Sequence, residues 1–63
     1  MLDLKELRNK YYLTQKEVAE RVHVERSTIT QIELGVNKPS VKTAMALGEL
    51  FEVDWRGFFE EGN

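Results

Sequence analysis

The chain has 63 residues, with nine Lys or Arg against eleven Asp or Glu, one histidine and no cysteine. So short a chain supports one domain, expected over residues 1–63, and buries only about 60% of the surface it exposes when unfolded; a compact helical packing or a partner must stabilise it. The lack of cysteine excludes disulfides and thiolate metal sites. No apolar stretch nears the roughly 20 residues that cross a bilayer, and the charged start through Asp3, Lys5 and Glu6 has no apolar signal core. A cytoplasmic location is therefore expected.

Asp3-Leu4-Lys5-Glu6 pairs a capping acceptor with a glutamate three residues on, which predicts the start of a first helix. Leu4, Leu7 and Tyr11 share one face of it. Thr14-Gln15-Lys16-Glu17 repeats the capping pattern and predicts a second helix burying Val18, Ala19 and Val22. A short break at His23-Val24 leads to a third helix, around Glu25 to Leu34, with Ile29 and Ile32 inward. Gly35 accepts the left-handed conformation that ends a helix, and Asn37-Lys38-Pro39 is loop chemistry. Ser40 can cap a fourth helix with its stripe at Val41, Ala44, Leu47 and Leu50 or Phe51. Asp54 can cap a short fifth helix carrying Trp55, Phe58 and Phe59. The expectation is an all-α domain of five helices, with Leu7, Leu13, Val18, Ala19, Val22, Ile29, Ile32, Leu47 and Leu50 in the core.

The charge is unevenly spread. Up to Gly48, eight Lys or Arg face six acids; from Glu49 onward five acids face Arg56 alone. A mildly basic portion can attract phosphate even on a chain of net charge −2. The third helix is built unlike a solubility face, which more often carries Glu and Lys at i, i+4 spacing. Its outer side carries Arg26, Ser27, Thr30 and Gln31, with Glu25 at its mouth. These side chains donate or accept hydrogen bonds, and most are short enough to approach a base edge.

Three motifs, LTQKEVA, STITQIELG and KPSVKTAMAL, stand in that order within LKELRNKYYLTQKEVAERVHVERSTITQIELG and NKPSVKTAMALGELFEVD, followed by WRGFF. The chain resembles the Cro/cI-type (XRE-like) helix-turn-helix domains of phage repressors and small bacterial regulators, over nearly its whole length. The resemblance implies a five-helix lambda-repressor-like DNA-binding fold in which the second and third helices form the helix-turn-helix. It implies that the third helix enters the major groove of double-stranded DNA, with base readout by Glu25, Arg26, Ser27, Thr30 and Gln31. Arg26 could bond guanine O6 and N7 together, and Gln31 could bond adenine in the same two-pronged way. Thr30 could offer its hydroxyl to a base or its methyl to thymine. Thr14, Gln15, Lys16, Asn37, Lys38 and Ser40 are expected at phosphates; for Gln15 and Ser40, free N–H groups at a helix start support this.

The resemblance also pairs Arg8 with Glu33 as a structural ion pair orienting the third helix. It assigns the C-terminal apolar residues Phe51, Val53, Trp55, Phe58 and Phe59 to a homodimer interface, consistent with so much apolar surface in nine residues. A two-fold dimer would demand an inverted-repeat operator with half-sites about 34 Å apart. The chain departs from the family pattern at Glu25, usually a capping Ser or Thr, and at His23 and Tyr12, where glycine is frequent. Tyr11 and Tyr12 are expected to pack under the turn between the first two helices.

An enzyme is not expected, since there is no phosphate-binding glycine loop and little chain for a pocket. No cofactor or metal is expected, a lone histidine being a poor ligand set. The reading is a DNA-binding repressor acting by steric occlusion. Its rivals are the antitoxin of a toxin–antitoxin module, which would also bind a toxin, and a helix-turn-helix used only for protein contact. Contact with RNA polymerase through the acidic end is a further option.

Overall fold

The computed structural model describes residues 2–59. The expected domain boundaries at 1 and 63 lie outside the described residues, as do the acidic Glu60 and Glu61. Among the described residues four α-helices occur in order: α1 (Leu4–Lys10), α2 (Gln15–Val22), α3 (Arg26–Leu34) and α4 (Val41–Phe51). The expected fifth helix is instead a single 3-10 turn, Trp55–Phe58. Asp54 caps it through the Arg56 N–H, and one turn suffices to swing Phe58 into the core, where it is 3% exposed.

Each α-helix starts where its sequence offers an acceptor or an anion. Asp3 accepts from the Glu6 N–H and Ser40 from the Thr43 N–H. Thr14 and Glu17 exchange reciprocal bonds in a complete capping box. Glu25 holds the N-cap position of α3 but makes no capping bond with its side chain. Among the described residues four positions take positive φ: Tyr12 (58°) after α1, Gly35 (78°) closing α3, Glu52 (56°) closing α4 and His23 (60°) closing α2. A non-glycine residue there is strained, but it lets α2 and α3 meet with only His23, Val24 and Glu25 between them.

α2 packs on α3 and α4, α1 packs on α3, and α4 packs on the 3-10 turn. The buried core is Leu4, Val18, Ala19, Val22, Ile29, Ala44, Leu47, Phe51 and Phe58. Of the residues expected there, Leu7, Leu13, Ile32 and Leu50 are only partly buried around it. Val41, expected on the inner stripe of α4, is 55% exposed because the buried stripe runs through Ala44, Leu47, Gly48 and Phe51. Gly48 permits a close approach that no larger residue would. A Cβ there would sit 2.8 Å from both the Val53 carbonyl oxygen and Trp55 Cβ.

Tyr11 turns its ring toward Phe51, with centroids 5.4 Å apart, and its hydroxyl donates to the Phe51 carbonyl. Tyr12 does not pack under the turn as expected: it stands 93% exposed on a left-handed backbone (φ 58°). Among the described residues no helix is long and apolar enough to cross a membrane.

Candidate nucleic-acid interface

α3 is anchored from beneath and open above. Ile29 is fully buried and Ile32 half-buried, whereas Glu25, Arg26, Ser27 and Gln31 are exposed and Thr30 is partly so. Those five are the residues expected at base edges, and the helix carries them on its outward side over two turns.

The anchor is polar as well as apolar. Arg8 Nε donates to Glu33 Oε2 at 2.6 Å and Nη2 to Oε1 at 3.1 Å, a two-pronged pair between α1 and α3. Arg8 Nη1 also donates to the Leu13 carbonyl at 3.0 Å, so one guanidinium fixes the α1–α2 turn to α3. Burial pushes the Glu33 carboxyl up, but the bonds from Arg8 and Gln15 and the Arg8 charge outweigh it and hold the group below its ordinary range. The bond to Glu33 raises Arg8 further above its already high value, against the opposing effect of burial.

Gln15, expected at a phosphate, belongs to the same network. Its Nε2 donates to Glu33 Oε1 at 3.0 Å, and its Oε1 accepts from the Thr30 hydroxyl at 2.8 Å. The start of α2 and the middle of α3 are thus bonded side chain to side chain, a link between residues fifteen apart that no local sequence pattern announces. Asn37, also expected at a phosphate, reaches the outer side of α3, its Nδ2 donating to Gln31 Oε1 at 2.6 Å.

The remaining expected phosphate residues separate into two groups. Thr14, Gln15 and Lys16 line an open hollow of about 500 Å³ together with Arg8 and Arg26. Arg26 therefore stands where it borders both this cationic hollow and the face of α3. Lys38 and Ser40 stand in the segment between α3 and α4, with Ser40 capping α4. The Ser40 hydroxyl is occupied locally, accepting from the Thr43 N–H and donating to Thr43 Oγ1 at 3.0 Å.

The residues expected between two copies fare unevenly. Phe51 (1% exposed) and Phe58 (3%) are core residues of the single chain and present no surface to a second one. Val53, Trp55 and Phe59 pack around that core and stay partly exposed, with Trp55 and Phe59 in an edge-on contact at 6.1 Å. The exposed large apolar side chains lie elsewhere, among them Leu34, Val36, Val41 and Met45. Among the described residues no group of three His, Asp or Glu converges as a metal site.

Comparison with known proteins agrees with this geometry. A family model described as helix-turn-helix matches residues 4–58. The chain is 41% identical over 58 residues to YqaF of Bacillus subtilis (strain 168), an uncharacterized HTH-type transcriptional regulator, spanning 92% of this chain and 76% of that protein. It is 39% identical over 56 residues to an uncharacterized HTH-type transcriptional regulator of Archaeoglobus fulgidus, spanning 89% of this chain and 79% of the relative. A putative HTH-type transcriptional regulatory protein of Methanothermobacter thermautotrophicus is 40% identical over 50 residues, but these make up only 16% of it. These relatives come from a bacterium and from archaea, so likeness alone does not confine the host to bacteria or phage. With four helices in this order, the α2–α3 pair joined by a three-residue turn and a match across residues 4–58, the chain belongs to the Cro/cI-type (XRE-like) helix-turn-helix family.

Proposed function

We propose that the protein is a sequence-specific DNA-binding transcriptional regulator that inserts α3 into the major groove. The observation that carries this reading is the construction of α3. Its inner side is locked by Ile29 and by the Arg8–Glu33 pair, while Glu25, Arg26, Ser27, Thr30 and Gln31 occupy its outer side. A helix held this firmly can present several polar groups to base edges at once, which is what direct readout needs.

Phosphates flank the helix on both sides in this reading. Thr14, Gln15 and Lys16 grip one strand from the hollow beside Arg26, and Gln15 keeps one amide hydrogen beyond the one it gives Glu33. Lys38 and Ser40 approach the other side, with Asn37 shared between this grip and Gln31. The protein binds as a homodimer to an inverted repeat and represses by occupying an operator that overlaps a promoter. The surface for the second copy comes from Val53, Trp55 and Phe59, since Phe51 and Phe58 are needed inside each chain.

Selection from a random duplex DNA library, with bound pools sequenced at two salt concentrations, tests this. The expected result is an inverted repeat with half-sites about one turn, roughly 34 Å, apart. The core motif should be retained at the higher salt even as total binding falls steeply. An unenriched pool at both salts overturns the reading in favour of a helix-turn-helix used only for protein contact.

A further inference from the structure

A carboxylate offers only acceptors. Glu33 takes Arg8 Nε on one oxygen and Arg8 Nη2 on the other, and the neighbouring amide can therefore face it only with its nitrogen. Gln15 does so, Nε2 to Oε1, at 3.0 Å. The nitrogen and oxygen of a glutamine amide are ordinarily hard to tell apart; here the charge of Glu33 decides. The Gln15 oxygen is consequently the atom facing Thr30 Oγ1 at 2.8 Å, and an amide oxygen only accepts. The Thr30 hydroxyl must donate. Its single hydrogen has one alternative acceptor within α3, the Arg26 carbonyl at 3.3 Å. Either choice directs the hydrogen into the protein and leaves only lone pairs for anything that approaches from outside.

We infer that Thr30 is a specificity-determining residue that accepts, and does not donate, a hydrogen bond at the DNA, so that its partner is an exocyclic amine: adenine N6 or cytosine N4. In the major groove these are the base-edge donors; guanine N7 and O6, adenine N7 and thymine O4 all accept. Against an acceptor, Thr30 meets lone pair with lone pair unless its hydroxyl abandons both inward partners. The polarity is imposed from the ion pair outward, through Arg8, Glu33 and Gln15 in turn. This inference rests on the reading that α3 enters the major groove, and it adds to that reading which bases Thr30 selects.

The test uses the full chain and the duplex selected as above. Each base of a half-site is replaced singly by an analogue lacking one group: purine for adenine, 2-pyrimidinone for cytosine, and the 7-deaza forms of guanine and adenine. Binding is measured for the natural protein, for Thr30→Val, which keeps the shape and loses the hydroxyl, and for Thr30→Ser, which keeps the hydroxyl. Far-UV circular dichroism confirms that all three are folded. The expected result is one position where deleting the amine weakens the natural protein and Thr30→Ser about fivefold, the size of one hydrogen bond, and leaves Thr30→Val unaffected. Loss at purine identifies adenine N6, and loss at 2-pyrimidinone identifies cytosine N4. Coupling of Thr30→Val to a 7-deaza position, or to no position, overturns the inference while leaving the DNA-binding reading intact. A natural protein that selects no sequence overturns both.

Discussion

The two halves of this small domain are held together by different physics. The half formed by α1, α2 and α3 is tied by directed polar bonds: Arg8 to Glu33, Glu33 to Gln15, and Gln15 to Thr30. The half formed by α4 and the 3-10 turn closes through apolar contact, with Phe51, Leu47 and Phe58 buried and Gly48 pressed against Trp55. Apolar packing is strong but indifferent to direction. Hydrogen bonds to a charged group are directional, so they fix where a side chain points. The half that needs only to stay closed uses the first; the half that must aim side chains at a ligand adds the second.

Substitutions should separate the two halves. The largest effect is expected from Phe58→Ala, which should destabilise the fold by about 3–5 kcal/mol, much of the stability of so small a domain. DNA binding should fall only in proportion to the folded fraction measured by thermal denaturation. A loss of discrimination in the protein that remains folded would erase the contrast between the halves.

Glu33→Gln should cost about 3 kcal/mol, near the low end for breaking a buried pair because Arg8 keeps some contact with solvent. It should also weaken sequence discrimination beyond what unfolding explains. Its pH dependence has a definite sign. The Glu33 carboxyl lies below its ordinary value when folded. The stability it contributes is therefore complete above the unfolded value of about 4.3 and is lost as pH falls through the lower folded value. Denaturant titrations should show the difference between natural protein and variant shrinking as pH drops below about 4.

Arg26→Ala should remove about 1–3 kcal/mol of preference at a particular base pair. Lys16→Ala should weaken all duplexes alike and reduce the salt dependence of binding. Equal behaviour of the two in competition binding would assign Arg26 to the cationic hollow that it borders.

Gly48→Ala inverts the usual sign. Alanine favours a helix by about 1 kcal/mol, but its Cβ would overlap the Val53 carbonyl and Trp55. Such overpacking costs about 1–3 kcal/mol, so calorimetry should record a net loss of roughly 1 kcal/mol. The smallest effect is expected at His23, whose left-handed backbone (φ 60°) glycine adopts freely. His23→Gly should raise stability by about 0.5–1 kcal/mol without altering DNA preference.

Much of the fold was legible because helix starts and buried stripes are local. Asp3, Thr14 and Ser40 cap helices as their patterns predicted, and Val18, Ala19, Ile29 and Leu47 are buried at helical spacing. The aromatic end was misread for a physical reason. Apolar residues crowded into nine positions resemble an exposed patch, but Phe51 continues the buried stripe of α4, and the tight turn that Gly48 permits brings Phe58 inward. Tyr12 was misread in the opposite direction: it stands 93% exposed on a left-handed backbone, outside the core.

The candidate site was legible as a set of residues and not as a network. Helical periodicity puts Arg26, Ser27, Thr30 and Gln31 on the outer side of α3, since a 3.6-residue repeat assigns faces without tertiary information. Hydrogen-bond polarity cannot be assigned that way. Whether Thr30 donates or accepts depends on Gln15, fifteen residues away, and through it on Glu33 and Arg8. The sequence by itself determined the helices, their caps and the outward chemistry of α3, because these follow from neighbours along the chain. Only the tertiary structure decided which aromatic residues stay inside and which way each polar group faces, because those depend on partners that folding brings together from distant positions.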